Sequence, residues 1–259
     1  MNKNSKALTT HQLSVNYGNV SALWDISLDL PSGVVAGIIG PNGAGKTTLI
    51  KTALGLVRPI AGKVEFFEQP LEKVRQRIAY VPQKETVDWD FPITVRDLVL
   101  MGRYGHLGLF RWPRQADYAA VHDYLEMVGM ENFAHRQISQ LSGGQQQRVF
   151  LARALIQEAD IYLMDEPFAG IDLGTRQVIM DILHKLRDQG KTVCVVHHEL
   201  DSVDNYFDWV IMLNIRLVVS GPTKEVFTKE YLNACYGKSY ALFDEALKLS
   251  KEKQQGLAR

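Results

Sequence analysis

The chain has 259 residues, 46% hydrophobic and 22% charged, with 29 Lys+Arg against 29 Asp+Glu. Such a composition supports a full-sized buried core and excludes a disordered chain. The charge balance argues against a nucleic-acid binder, which usually presents a basic face.

Two widely separated cysteines, Cys194 and Cys235, make no disulfide framework and fit a reducing compartment. The opening "MNKNSKALTT" lacks the apolar core of a signal peptide. No apolar run approaches the ~20 residues of a membrane helix. The longest candidate, "WVIMLNIRLVV", is broken by Asn214 and Arg216 and reads as two short strands. A soluble protein is expected, with any membrane role reached through a partner.

In chain order, "HQLSVNYG" and "SALWDISLDL" alternate like exposed-face strands, whereas "GVVAGIIG" is a continuous apolar run, as in a buried parallel strand. A glycine-rich loop and a helix over Lys46–Leu56 follow, then strands in "GKVEFFE" and "RIAYVPQ". From about Lys84 to Gln140 the pattern turns helical. In "ADYAAVHDYLEMVGM", Tyr118, Val121, Leu125 and Val128 recur three or four apart, and Gly129 is a stop. The α/β alternation then resumes with a helix over 145–157, strand "DIYLMDEP", helix "RQVIMDILHKLRDQG", strand "KTVCVVHH" and helix "SVDNYF". The charged end, "ALFDEALKLSKEKQQGLAR", reads as a solvated helix or tail.

The segment "GPNGAGKTT" matches G-x-x-x-x-G-K-[ST] between a predicted strand and helix, the context that motif requires. In the loop Gly40, Pro41, Asn42, Gly43, Ala44 and Gly45, the glycines let backbone N–H groups curl around phosphate oxygens, and the helix N-terminus adds positive potential. Lys46 is placed for the β- and γ-phosphates, Thr47 for Mg²⁺, and Thr48 completes the motif. In "IYLMDEP", Asp165 ends an apolar strand and can hold Mg²⁺, while Glu166 faces the other way, free to act on a water. "LSGGQ" contains a capping box, Ser142 with Gln145, which opens a helix. Gly143 and Gly144 lie inside it, where capping alone asks for no glycine, so the element is built like a second phosphate clamp. Two clamps make sense if one serves the nucleotide of a neighbouring copy.

The ordered set "GPNGAGKTT", "YVPQ", "LSGGQQQR", "IYLMDEP", "AGID" and "VVHHEL" closely resembles ATP-binding cassette (ABC) ATPase subunits, from about Leu13 to Gly221. That resemblance implies an α/β P-loop NTPase (RecA-like) core with an N-terminal antiparallel β-subdomain. The ATPase domain would span 8–225, with a helical subdomain inserted over about 84–157 and a C-terminal extension or tail over 226–259. It implies a head-to-tail homodimer sandwiching two ATP with Mg²⁺, Tyr17 stacking on adenine, Gln83 contacting Mg²⁺ or the attacking water, and Asp172 acting across the dimer. Glu166 would be the general base, with His198 near the γ-phosphate. The family commonly has threonine where His197 stands, so the choice of His198 rests on alignment with "HEL".

A finer resemblance, over "VDWDFPITVRDLVLMGRYGHLGLFRWP", is to subunits of bacterial importers for manganese, zinc or iron. It implies two transmembrane permease subunits docking near Trp89, Phe91, Leu109, Phe110 and Trp112. It also implies an extracytoplasmic substrate-binding protein acting indirectly, and a peripheral place on the cytoplasmic face of the cell membrane. The competing reading is a soluble ABC ATPase acting on nucleic acid or ribosomes. It is disfavoured by the single cassette and the lack of sustained heptads.

Overall fold

The computed structural model describes residues 5–108 and 111–237, apart from the side chain of Glu85. Expectations for Leu109, Phe110 and the tail over 241–259 therefore lie outside the described residues. Strands β1 (Lys6–Tyr17) and β2 (Val20–Pro31) form an antiparallel hairpin. Next come β3 (Val35–Ile39), helix α1 (Lys46–Ala53) and β4 (Ala61–Phe66). β4 pairs antiparallel with the free edge of β1, giving a three-stranded sheet in the order β2-β1-β4.

A six-stranded sheet has the order β5-β6-β7-β3-β8-β9. Its further strands are β5 (Ile78–Val81), β6 (Ile161–Asp165), β7 (Thr192–Val196), β8 (Trp209–Asn214) and β9 (Arg216–Pro222). All neighbours are parallel except β8 and β9. Helices α2 (Leu71–Val74), α3 (Val95–Leu100), α4 (Tyr104–Leu107), α5 (Gln115–Met127) and α6 (Gly143–Leu155) precede β6. The remaining helices are α7 (Leu173–Asp188), α8 (Val203–Tyr206), α9 (Thr223–Val226) and α10 (Lys229–Tyr236).

The apolar runs are continuous because the central strands are covered on both faces, and the period of two sorts their side chains into two cores. Val35 and Ile39 of β3 join Val193 and Val195 of β7 and Tyr162 and Met164 of β6 on the face covered by α3, α5, α6 and α7. Ala36, Ile38, Cys194, Val196, Ile161 and Leu163 face the other way, against α1 and the antiparallel sheet. Each fully buried Val, Leu or Ile contributes about 1.5–3 kcal/mol. Alternation puts Gly37 on the first face with Val35 and Ile39, and a Cβ there would come within 2.7 Å of the Phe207 ring, so the position takes glycine. Among the described residues no helix is long and apolar enough to cross a membrane.

Between β5 and β6 the chain is helical. Thr94 caps α3 by accepting from Asp97 N at 3.2 Å, and Asp117 closes the start of α5 by accepting from Arg114 N at 2.9 Å. Several details differ from the sequence reading, among them the end of α1, at Ala53 rather than Leu56. Tyr118 leaves the α5 apolar stripe and is half-exposed under the Arg96 guanidinium, while Val121, Leu125 and Val128 are buried. α6 starts two residues before the predicted 145, because Ser142 is its cap. α7 starts at Leu173 rather than Arg176, because Asp172 accepts from Thr175 N at 2.9 Å and caps it.

Candidate functional site

The carboxyl ends of β3, β6 and β7 deliver the polar groups, as expected for an open parallel sheet. Gly40 leaves β3 at φ 153 in a position where a Cβ would lie 2.0 Å from the Leu213 carbonyl oxygen. Only glycine fits there. At the other end of the loop Gly45, with φ 93, opens α1 without a side-chain cap, and a Cβ on it would lie 2.4 Å from Ala22 O. The loop thus packs against its neighbours on glycine faces, and the first-turn N–H groups of α1 are left to a ligand.

Lys46 is buried, and its Nζ donates to Gly40 O at 2.8 Å and Pro41 O at 2.9 Å. Burial lowers its pKa, against the opposing pull of Glu166, Cys235 and Asp165. The Thr47 hydroxyl donates to Asp165 Oδ1 at 2.9 Å, tying α1 to the end of β6. Asp165 is fully buried, and its Oδ2 has no hydrogen-bond partner. Burial raises its pKa, while the Thr47 hydrogen bond works the other way. A fully buried carboxylate oxygen without a donor fits a hard divalent cation, and the Thr47 hydroxyl beside it is a ligand of the right class. Among the described residues no group of three or more His, Cys, Asp or Glu could hold a metal ion. Mg²⁺ at a nucleotide site needs no such group, since phosphates and waters supply most of its ligands.

Glu166 follows in the left-handed region at φ 52, a conformation rare for a residue with a side chain and concentrated at functional sites. Its Oε1 lies 2.6 Å from His198 Nε2. The neighbouring histidine is quite different. His197 is 3% exposed, packs among Phe168, Tyr206 and Phe207, and its Nε2 is 2.7 Å from Ser202 Oγ. Burial pushes its pKa down to about 4, so it is neutral at pH 7. Geometry thus separates two residues that sequence left adjacent and chemically alike.

A cleft of about 420 Å³ brings together Tyr17, Asn42, Gly43, Ala44, Gly45, Lys46, Thr47, Thr48, Glu166 and His198. Among the described residues its lining does not include Gly40, Pro41, Gln83, Ser142, Gly143, Gly144, Gln145, Asp165 or Asp172. Gln83 is half-buried after β5, and its carbonyl accepts from Thr86 Oγ1 at 2.7 Å. At the start of α6, Ser142 Oγ accepts from Gln145 N at 3.4 Å and Gln145 Oε1 accepts from Ser142 N at 2.9 Å, so the box is closed both ways. Asp172 is occupied with its own helix, Oδ2 accepting from Thr175 Oγ1 at 2.7 Å. That backbone and hydroxyl donation holds its carboxyl below the usual range.

Two contacts were not foreseen. Arg176 of α7 makes a bidentate ion pair with Glu199, one arm at 2.8 Å, which links the segment after Asp172 to the segment after His198. Glu199 stands in the quoted "VVHHEL", so its charge was visible and only its partner was not. Lys84 places its Nζ 2.3 Å from where a Cβ on Gly143 would stand, so the residue after Gln83 reaches the opening of α6.

A family model described as "ABC transporter" matches residues 23–169. A Bacillus subtilis protein named as a manganese transport system ATP-binding protein is 55% identical over 87% of this chain and 90% of its own length. A Treponema pallidum protein named as a zinc transport system ATP-binding protein is 51% identical, over 89% of this chain and 87% of its own. Among solved structures, a chain from an inward-facing ABC transporter assigned to the metal-chelate type superposes with a TM-score of 0.78. That chain is 32% identical, over 89% of this chain and 88% of its own length.

Proposed function

The chain belongs to the ABC transporter family and is one of its ATPases, and from that premise we propose that it powers import of a transition-metal cation as a head-to-tail homodimer. The observation that carries this reading is the convergence of the Thr47–Asp165 bond and the Glu166–His198 pair on one glycine-cradled cleft. The two relatives named for manganese and zinc transport support a metal cargo, and favour this over a soluble ATPase acting on nucleic acid or ribosomes.

Residues Gly40 to Thr48 cradle the phosphates of ATP, with Lys46 turning from its two carbonyls to the β- and γ-phosphates. Tyr17, 52% exposed at the mouth of the cleft, offers a ring for adenine to stack on. Thr47, Asp165 and Gln83 would hold Mg²⁺, whose chemistry when bound is to neutralise charge on the transferred phosphoryl group. Glu166 accepts the proton of the attacking water, and His198, 2.6 Å away, fixes that carboxylate and meets the γ-phosphate. Ser142, Gly143, Gly144 and Gln145 close on the nucleotide of the other copy, together with Asp172.

Trp89 is partly committed to the fold, edge-on to Phe150 at 5.1 Å and donating to Lys84 O at 2.8 Å. Phe91 and Trp112, at 56% and 88% exposed, are left for two permease subunits on the cytoplasmic face of the membrane. An extracytoplasmic binding protein acts only through that permease.

The deciding experiment is reconstitution with the permease in liposomes loaded with ATP, with the extracytoplasmic binding protein added outside, following uptake of Mn²⁺ and Zn²⁺. ATP-dependent uptake of either, lost on Glu166→Gln, is expected. Uptake of neither metal by a complex that hydrolyses ATP would remove the cargo assignment.

A further inference from the structure

Behind the phosphate loop lies the tight turn between β8 and β9. Ile215, at φ 61, forms its tip. Its N–H donates to Ala44 O at 3.0 Å, and its carbonyl accepts from Trp24 N at 2.8 Å. Leu213 contributes the carbonyl that fills the space where Gly40 lacks a Cβ. The turn therefore touches the loop near both ends.

Helix α10 holds the same turn. Asn214 Nδ2 donates to Cys235 O at 2.9 Å, and the buried Cys235 thiol donates to Leu213 O at 3.4 Å. The Tyr236 hydroxyl is buried and faces the Gly40 backbone without closing a full hydrogen bond. An eight-residue helix is marginal by itself in water, so α10 keeps its shape by docking. Leu232 and Cys235 are its buried face, and Thr228 caps it by accepting from Tyr231 N at 3.5 Å. A loop rich in glycine has little stiffness of its own, and a binding geometry is only as fixed as the groups that support it.

We infer that α10 is a positioning element of the nucleotide site, with Asn214 tying the β8–β9 turn to α10 and Tyr236 backing the Gly40 backbone directly. Both residues lie outside the span 23–169 that the family model matches. The inference rests on the reading of Gly40 to Thr48 as a phosphate cradle. Neither residue touches nucleotide, so both act through the loop, and they affect affinity more than the chemical step.

The test uses the full chain with Asn214→Ala, Tyr236→Ala, Tyr236→Phe and, as reference, Lys46→Ala. ATP affinity, kcat at saturating ATP and the thermal midpoint without nucleotide are measured separately. Asn214→Ala and Tyr236→Ala should each weaken ATP binding about five-fold, with a smaller change in kcat. Tyr236→Phe, which keeps the packed ring, should stay near wild type. Unchanged ATP affinity in folded Asn214→Ala and Tyr236→Ala proteins, even with lower midpoints, would reduce α10 to ordinary packing. Should Tyr236→Ala fail to fold, the partly exposed Asn214 decides the matter. If Lys46→Ala itself binds ATP normally, the phosphate-cradle reading falls; if it loses ATP while Asn214→Ala keeps it, only the brace does.

Discussion

Two helices in this chain open on glycine, and their openings are finished in opposite ways. α1 begins after Gly45 with no side-chain cap, its N–H groups turned to a cleft that also collects Lys46, Thr47, Glu166 and His198. α6 begins after Ser142 with a reciprocal capping box already closed, and Lys84 stands against Gly143. The first opening is short of partners within its own chain and gathers the chemistry around it. The second is complete as a helix end and presents a surface. The division fits one half-site that does chemistry and another that closes over the nucleotide of a neighbouring copy.

The largest effect belongs to the α1 side. Glu166→Gln removes the group facing His198 and should lower ATP turnover about 10²–10⁴-fold, the usual weight of a positioned base. ATP binding should persist. Turnover measured at saturating ATP decides, and a rate near wild type would take Glu166 out of the reaction and leave the two openings chemically equal.

Acid should loosen the same side. His197 lies behind His198 in its aromatic surround, near Glu199, Arg176 and Ser202. Its pKa is depressed to about 4, so between roughly pH 6.5 and 4 the unfolded chain binds a proton that the folded chain refuses. Stability is therefore full above that window and declines as pH falls through it, by about 3 kcal/mol at the lower end. Urea midpoints across pH 4 to 7, set against those of His197→Gln, read this directly. A variant with the same slope as wild type would show that other groups carry the acid response.

The glycines sharpen the contrast. Gly40→Ala drives a methyl into the backbone carbonyl of Leu213 at 2.0 Å, which cannot yield without moving β8, and should destabilise by about 1–3 kcal/mol and abolish ATP binding. Gly143→Ala meets only the end of the Lys84 side chain at 2.3 Å, which can swing away. Its thermal midpoint should scarcely move, while turnover in the dimer falls. Equal destabilisation by the two substitutions would erase the distinction between a jammed loop and a capped helix.

Much of this arrangement was legible in the residues. The loop Gly40 to Thr48, the buried strand ending in Asp165, and the Ser142–Gln145 box are local patterns, and each formed where its pattern stood. What was not legible depends on contacts distant in sequence. His197 and His198 differ only in which one the fold encloses with Phe168 and Phe207. The left-handed backbone of Glu166 has no residue signature, since any sequence rule would ask for glycine there. Tyr118 fitted the helical spacing, yet its ring lies half-exposed against the Arg96 guanidinium, a partner distant in sequence. The early start of α7 comes from a cap inside "AGID", where the Asp172 carboxylate accepts from Thr175 N.

The smallest expected effect tests that last point at the second opening. Ser142→Ala deletes one arm of the capping box, while Gln145 Oε1 can still accept from the residue 142 N–H. A lost serine cap costs about 1 kcal/mol, so the thermal midpoint should drop slightly and the fold persist. If Ser142 only capped α6, turnover would follow that modest loss in stability and saturating ATP would restore it. A serine whose hydroxyl also reaches the nucleotide of the neighbouring copy predicts otherwise: kcat falls well beyond the stability loss, while ATP still binds each copy through Lys46 and Thr47. On a Glu166→Gln background, which should hold ATP without turning it over, gel filtration should then show two copies joined when Ser142 is present and separate copies with Ser142→Ala. Copies that elute alike with either residue would leave the capping box as nothing more than a helix end.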